Sequence, residues 1–376
     1  MASSTAAGQL VSIRAGGTKQ DWGPPLAPAP DLVVDTTGLD ALVAHNAGDL
    51  TAVVGAGMAL SRLQERLAGA GQWLALDPPS QPRGATVGGL LATGEAGPRR
   101  HRYGSLRDLV IGVTMVLPDG TVARSGGQVI KNVAGYDLAK LLCGSQGTLA
   151  LVTEVSLRLH PLDAHSATVR IPATPTEATP LVVGLLAAPV VASALDWAGG
   201  ALWVRIEGSA GGVRSQVEEV RSLAAEGSAP SAVLEGEEEA RAWEELARIE
   251  AGEEGDTLAV ATSLPSQLAE VAEASDRAAG EVGVAADLVS RAGLGLHTAR
   301  LRAEDLGAHA GFISAWRRAV QRLGGTVVVR RHPPGLEEVA DLLGPPPSAV
   351  EVMGRVKDQM DPGHRLGRGR FSPWWL

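Results

Sequence analysis

Over the first 160 positions, apolar residues come in short runs separated by glycine-rich breaks, which predicts strands and tight loops rather than long helices. Leu10–Arg14, Thr51–Gly55, Trp73–Leu76, Leu109–Leu117, Thr121–Arg124 and Leu149–Leu159 read as strands. Leu60, Leu63 and Leu67 share one face of a helix that Gly69 and Gly71 end, and Leu138–Leu142 predicts a second, shorter helix. Asp77-Pro78-Pro79 forbids regular structure, because each proline fixes its own φ and pushes the residue before it out of the helical region. Pro118-Asp119-Gly120 supplies a turn.

After His160-Pro161 the texture changes. Strands at Thr168–Ile171, Leu202–Ile206, Thr257–Ala261, Leu294–Leu301 and Thr326–Arg330 are interleaved with helices. Val213, Val217, Val220 and Leu223 mark one helix; Leu264, Leu268 and Val271 the next; Phe312, Ile313, Trp316 and Val320 a third. Leu181–Ala187 is a further apolar segment, and the acidic run Glu235–Glu254 predicts a solvated helix or loop anchored by Trp243 and Leu246. Val352, Val356 and Met360 mark a last helix before a basic, aromatic tail. The expected organisation is α+β in three stretches: 1–161, 162–340 and 341–376.

Composition narrows the class. A chain of 376 residues with 45% hydrophobic and 20% charged residues suits two globular domains. A net charge of −9 argues against nucleic acid or anionic lipid as a general partner. Cys143 is the single cysteine, so no internal disulfide is available and a reducing, cytoplasmic location is expected. The opening MASSTAAGQLVSIR has neither a basic start nor an apolar stretch of the signal-peptide kind, and no apolar run reaches the roughly 18–20 residues of a membrane span.

Chemistry concentrates in the glycine loops. RGATVGGLLATGEAGPRRHRYGS packs Gly84, Gly88, Gly89, Gly94 and Gly97 among few apolar side chains before Arg99, Arg100, His101 and Arg102. Glycine is needed where φ is positive or where another group approaches the backbone closely. Ala15-Gly16-Gly17-Thr18-Lys19 offers N–H donors, a hydroxyl and an ammonium after a strand, which suits either an anion-binding nest or a surface turn. Both tyrosines, Tyr103 and Tyr136, sit beside a glycine, as chance or a planar ligand would place them. Val53–Leu60 with Asp77 downstream imitates a dinucleotide-binding fingerprint, but Leu60 fills the third glycine position and Pro78-Pro79 spoils the repeat. The eight histidines form no close pair, so no metal site is expected. Arg300, Arg330, Arg331 and His332 suit a carboxylate-holding set or solvated strand ends, and no catalytic residue is assigned.

The order of IRAGGTKQDWG, LDPP, GATVGGLLATGEAG, HRYGSLRDLVIGVTMVLPDG and GGQVIKNVAGYDLAKLLCGSQGTLALVTEV resembles the FAD-binding domain of the p-cresol methylhydroxylase and vanillyl-alcohol oxidase type flavoproteins. Within it, KNVAGYDL with GPRRHRYGSLRDL upstream is most similar to the E subunits of bacterial glycolate oxidase. The resemblance implies a two-part FAD-binding domain followed by an α+β cap with ferredoxin-like strand–helix–strand units, and a C-terminal helix and tail, 341–376 with HRLGRGRFSPWWL, that returns to the FAD domain. It implies that Arg14, Ala15, Gly16, Gly17, Thr18 and Lys19 wrap the FAD pyrophosphate while Pro78 passes the flavin as extended backbone. Ala85, Thr86, Gly88, Gly89 and Thr93 would lie along the diphosphate, ribityl chain and ring. Gly147 and Val152 would close over the adenine side, and Tyr103 joins the set as a ring beside the glycine loop. Lys131 and Asn132 would order the loop near the flavin.

The first loop lacks the histidine that some relatives bond to the flavin, so non-covalent FAD is expected; His101 reads better as a loop histidine paired with nearby charge than as a flavin attachment. The resemblance also implies a strand–helix unit ahead of the first glycine loop, where nine residues precede Leu10. The implied function is an FAD-binding subunit of a glycolate oxidase-like complex. It would work on a small 2-hydroxy acid with a catalytic flavoprotein subunit and an iron–sulfur subunit as partners. The alternatives are a self-sufficient FAD oxidoreductase acting on another alcohol or hydroxy acid, and a scaffold that has lost FAD.

Overall fold

The computed structural model describes residues 1–128, 135–226 and 230–375. Lys131 and Asn132 lie outside them. The chain divides into two units, one of Met1–Gly97, Tyr103–Leu162 and Pro345–Leu376, the other of Pro98–Arg102 and Asp163–Gly344.

The first unit is built on β1 (Val11–Arg14), β2 (Leu32–Asp35), β3 (Leu42–Asn46), β4 (Thr51–Gly55), β5 (Gln72–Trp73), β6 (Val110–Val116), β7 (Val122–Gly126), β8 (Leu151–Arg158) and β9 (His160–Pro161). β1 and β2 run parallel, with Val11 opposite Leu32 and Arg14 opposite Asp35. The main sheet is antiparallel in the order β3-β4-β8-β6-β7. Helix Leu60–Ala68 buries Leu60, Leu63 and Leu67 completely, each removal from water being worth roughly 1.5–3 kcal/mol. The dinucleotide-like glycines serve packing instead. A side chain on Gly55 would start 2.1 Å from the Leu39 carbonyl oxygen, and one on Gly57 1.9 Å from that of Thr36, where the chain crosses from β2 to β3.

Two expectations are corrected here. Trp73–Leu76 pairs as a strand only at Gln72–Trp73, because Gln64 takes the place of a neighbouring strand. Its Nε2 donates to the Leu74 carbonyl at 2.6 Å and its Oε1 accepts from the Leu74 N–H at 3.0 Å. The stretch read as loop around Gly88 and Gly89 contains a helix, Val87–Thr93, capped by Thr86 and ended by Gly94 in the left-handed conformation. Buried Val87, Leu90 and Leu91 hold it on the core despite the low helix propensity of its glycines.

The tail returns to the same unit. Helix Val350–Met360 carries Lys357, whose ammonium donates to the Thr148 carbonyl (2.7 Å), the Asp361 carboxylate (2.5 Å) and the Leu366 carbonyl (3.1 Å). Asp361 in turn accepts from the Arg365 and Leu366 N–H groups at 2.7 and 2.8 Å. Leu366 then bridges Val11 in β1 as a parallel neighbour.

The second unit holds β10 (His165–Pro172), β11 (Ala192–Ala198), β12 (Ala201–Gly208), β13 (Ala232–Glu235), β14 (Thr257–Thr262), β15 (Ala286–Arg291), β16 (Leu296–Leu301) and β17 (Val327–Arg331). They form one antiparallel sheet in the order β13-β10-β12-β11-β15-β16-β14-β17. In β11, Leu195 and Trp197 enter one apolar cluster, while Ala194 and Ala198 enter another with Trp243 and Leu246. Alternate side chains of a strand point to opposite faces, so this strand is covered on both. The acidic run forms helix Gly236–Ala251, and it is not wholly solvated. Glu239 is buried, accepting from Ser166 (2.8 Å) and Thr168 (2.7 Å) and pairing with Arg205 at 3.1 Å; buried Glu250 pairs with Arg291.

His297 is fully buried in β16, with Nε2 2.8 Å from the Ser263 hydroxyl and Nδ1 2.9 Å from that of Ser290. Burial pushes its pKa down from 6.5 to about 4. Its folded-state pKa lies below the unfolded one, so the full stability is present above pH 6.5 and falls as the pH drops toward 4. The expected slope approaches about 1.4 kcal/mol per pH unit in that window. Urea unfolding between pH 4 and 7 should show it, and His297→Gln should flatten that part of the profile; an unchanged slope in the variant would rule out His297 as its source.

Candidate functional site: a cleft walled by main chain

The glycine loop after β1, helix Val87–Thr93, the loop before β8 and the C-terminal tail meet at one cleft of the first unit. Its empty volume, open solvent at the mouth included, is about 840 Å³. Ala15, Gly16, Gly17, Thr18, Lys19, Thr86, Gly88, Gly89, Thr93, Gly147 and Val152 all line it. Arg14, Pro78, Ala85 and Tyr103 lie outside this lining. Arg14 ends β1 as an exposed side chain. The Pro78 carbonyl accepts from the Gln81 N–H at 2.9 Å, and that of buried Ala85 from the Leu60 N–H at 2.8 Å. Tyr103 sits edge-on to Trp73 (5.6 Å between ring centroids) and His160 (4.9 Å). Tyr136 is 91% exposed.

Main chain dominates the wall because side chains have no room. A side chain on Gly16 would begin 2.3 Å from the Gly84 carbonyl oxygen, and one on Gly88 2.8 Å from that of Ala56. Among the described residues nothing accepts from the N–H groups of Gly16, Gly17 or Thr18. Three consecutive unclaimed amides in a concave wall suit an anion. Gly88 and Gly89 offer surface rather than donors, since their N–H groups go to the Ala56 carbonyl (2.7 Å) and the Thr86 hydroxyl (3.3 Å). Thr93 gives its hydroxyl to the Gly89 carbonyl at 2.9 Å. Lys19 reaches the cleft with its ammonium 3.0 Å from buried Glu95, which also accepts from Ser80. This donor set fits a long, partly anionic, partly planar ligand.

Sequence reasoning passed over several lining residues. Ser12 and Ile13 of β1, Thr36 after β2, and Gly367 and Arg370 of the tail belong to the wall. The resemblance brought the tail back to this domain, but nothing local marks Gly367 or Arg370 as lining, because the chain only meets the cleft again after the whole unit has closed. His101 lies in the second unit, on the short helix Arg100–Tyr103 rather than in a loop. A side chain on Gly293 would begin 2.5 Å from its Cε1, and its buried Nδ1 has no partner among the described residues. Burial lowers its pKa. Arg300 is not available as a carboxylate holder, since Asp256 pairs with it at 2.6 Å and Glu253 at 3.5 Å. No group of three or more His, Cys, Asp or Glu gathers among the described residues to hold a metal.

Such a cleft, in a unit built on a mostly antiparallel sheet, suits a long cofactor with an anionic section. Residues 1–126 match the family described as an FAD binding domain; this stretch is an FAD-binding domain, and FAD is its cofactor. Over 177 residues the chain is 37% identical to glycolate oxidase subunit GlcE of Escherichia coli (strain K12), covering 47% of this chain and 51% of that one. Over 151 residues it is 37% identical to the mitochondrial D-lactate dehydrogenase [cytochrome] of Arabidopsis thaliana, covering 40% and 26% of the two chains. Among solved structures, an alkyldihydroxyacetonephosphate synthase shares the fold with a TM-score of 0.69 at 15% identity, over 96% of this chain and 71% of that one. The matched stretch spans about half of GlcE and about a quarter of the plant dehydrogenase.

The geometry separates two neighbouring glycines. Gly16→Ala has to displace the Gly84 carbonyl and should abolish retention of FAD through purification. At Gly17, with φ of +68° and open space where a side chain would stand, alanine should cost only about 1–2 kcal/mol of stability and leave the protein yellow. The visible absorption of both variants checks this.

Proposed function

We propose that the chain is the FAD-binding subunit of a glycolate oxidase-like complex, working on small 2-hydroxy acids such as glycolate. The observation that carries the reading is the amide-walled cleft, and the 37% identity to GlcE over 177 residues supports it. Removing two electrons from a 2-hydroxy acid needs an acceptor that no amino-acid side chain provides, and bound FAD supplies it. The protein's part is to bind and orient. The amides of Gly16, Gly17 and Thr18 would receive the anionic section of the cofactor. The small surfaces of Gly88, Gly89 and Gly147 would let it lie close to the backbone, and Thr86 and Thr93 would border it with hydroxyl groups. Binding would be non-covalent.

The complex would pair this chain with a catalytic flavoprotein subunit and deliver electrons to an iron–sulfur subunit. Similarity to another relative, named glycolate oxidase subunit GlcD, at 46% identity over 83 residues, supports a shared ancestry of such subunits. A second reading, a self-contained FAD-dependent dehydrogenase of another hydroxy acid, draws support from the similarity to D-lactate dehydrogenases.

The test is direct. Purified chain should be yellow and should release its flavin on denaturation. Glycolate under anaerobic conditions should bleach that flavin rapidly only when the co-encoded subunits are present. Rapid bleaching of the isolated chain by glycolate would refute the subunit reading, rapid bleaching by D-lactate would favour the second, and a colourless chain that takes up no added FAD would refute both.

A further inference from the structure

Two buried cations line the cleft, and they are compensated differently. Lys19 and Arg370 are 7% and 8% exposed. Lys19 faces Glu95 at 3.0 Å, so its charge is matched inside the protein. Arg370 has only neutral acceptors: Nη1 donates to the Trp22 carbonyl at 2.9 Å and Nη2 to the Gln20 side-chain oxygen at 3.2 Å. Among the described residues no carboxylate makes ion-pair contact with it, and Asp21 acts on it only through space. A guanidinium taken out of water without a counter-charge is costly, and burial accordingly lowers its pKa.

The tail is built to keep that cation in place. The Val11 N–H donates to the Arg365 carbonyl at 2.8 Å, and the Gly367 N–H donates back to the Val11 carbonyl at 3.0 Å. Gly369 lies so close to the chain that a side chain on it would begin 2.6 Å from the Ala27 nitrogen. Lys357 and Asp361 clamp the approach to the tail from the other side. Arg370 therefore follows the Leu366 bridge to β1 on a turn closed by its own N–H, which donates to the Gly367 carbonyl at 3.2 Å, and it lines the same cleft as the loop that carries the unclaimed amides of Gly16, Gly17 and Thr18.

We propose that Arg370 is the counter-charge for the anionic part of the cofactor, the diphosphate of FAD, so that the C-terminal tail completes the binding site begun by the first glycine loop. This rests on the FAD reading above and adds to it a residue and a division of labour. The amides shape the anion site, Arg370 supplies its net charge, and Lys19 is held in reserve by Glu95. Planar guanidinium donors suit phosphate oxygens.

The experiment uses the full chain freed of flavin, titrated with FAD, ADP and riboflavin, for wild type, Arg370→Gln, Arg370→Met and Arg370→Lys, with circular dichroism as the control for folding. Arg370→Gln keeps donors for Trp22 and Gln20 while removing the charge. The neutral variants should bind FAD and ADP at least tenfold more weakly and lose part of the salt dependence of binding, whereas riboflavin, which has no phosphate, should bind as before. Arg370→Lys should recover most of the affinity. Folded neutral variants that bind FAD and ADP like wild type would overturn the inference, as would an equal loss for riboflavin, which marks a merely structural role. If Arg370→Met does not fold, Arg370→Gln and Arg370→Lys decide alone. A wild type that takes up no FAD defeats the functional reading instead, which separates the two failures.

Discussion

The first unit depends on main chain passing main chain at distances no side chain tolerates. At Gly57 against Thr36, Gly97 against Asp77 and Gly16 against Gly84, an added carbon would begin 1.9, 1.9 and 2.3 Å from a carbonyl oxygen. Each is a fixed crossing point, and together they set where the loops run. A wall made this way exposes peptide groups rather than side chains, which is the surface a long cofactor with charged and planar sections can lie against. The same constraint explains why the Val53–Leu60 glycines imitate a nucleotide-binding motif. They answer to close packing, and only Ala56 among their neighbours reaches the cleft.

What the sequence made legible follows from how each element is covered. β4, the helix Leu60–Ala68 and β8 each carry a pattern of burial that the residue order prints directly, and they lie close to where the pattern placed them. β11 did not show, because it is buried on both faces and its small residues, Ala192, Ser193 and Ala194, carry no alternation. β15 did not show either, where Ala286–Arg291 mixes polar and apolar positions and Arg291 is buried against Glu250. The acidic helix misled for a related reason. Its sequence reads as solvated, yet Glu239 and Glu250 have partners from strands far along the chain, and a buried carboxylate is tolerable only with such partners.

The glycine loops were legible as the lining of a cleft because their composition is itself the signal. Eleven of the residues assigned to the cofactor do line the cleft: Ala15, Gly16, Gly17, Thr18, Lys19, Thr86, Gly88, Gly89, Thr93, Gly147 and Val152. Composition does not say which amides remain free, and this is where the structure changes the picture. Gly88 and Gly89, inside the most glycine-rich stretch, have their N–H groups occupied, while the plainer Gly16-Gly17-Thr18 turn keeps its own. Charge was equally hidden. Lys19 looked like the natural anion ligand, and nothing near it in sequence announces Glu95.

The cleft is assembled from segments distant along the chain: residues near 12–20, 86–93, 146–152 and 367–370. Bringing such segments together costs loop-closure entropy, which grows only slowly with the length of chain enclosed, so the stabilising contacts need not be local. Lys357 shows how the closure is held, since its ammonium joins the carbonyl of Thr148, next to lining Gly147, to Asp361 and to the carbonyl of Leu366, next to lining Gly367. Separating the two would leave a charge buried at 3% exposure without its partners, a state that costs roughly 3–5 kcal/mol. The tail is thereby tied to the unit by buried polar contacts and by the Leu366 bridge to β1. A residue on it can be part of a rigid site although it stands within seven positions of the end of the sequence.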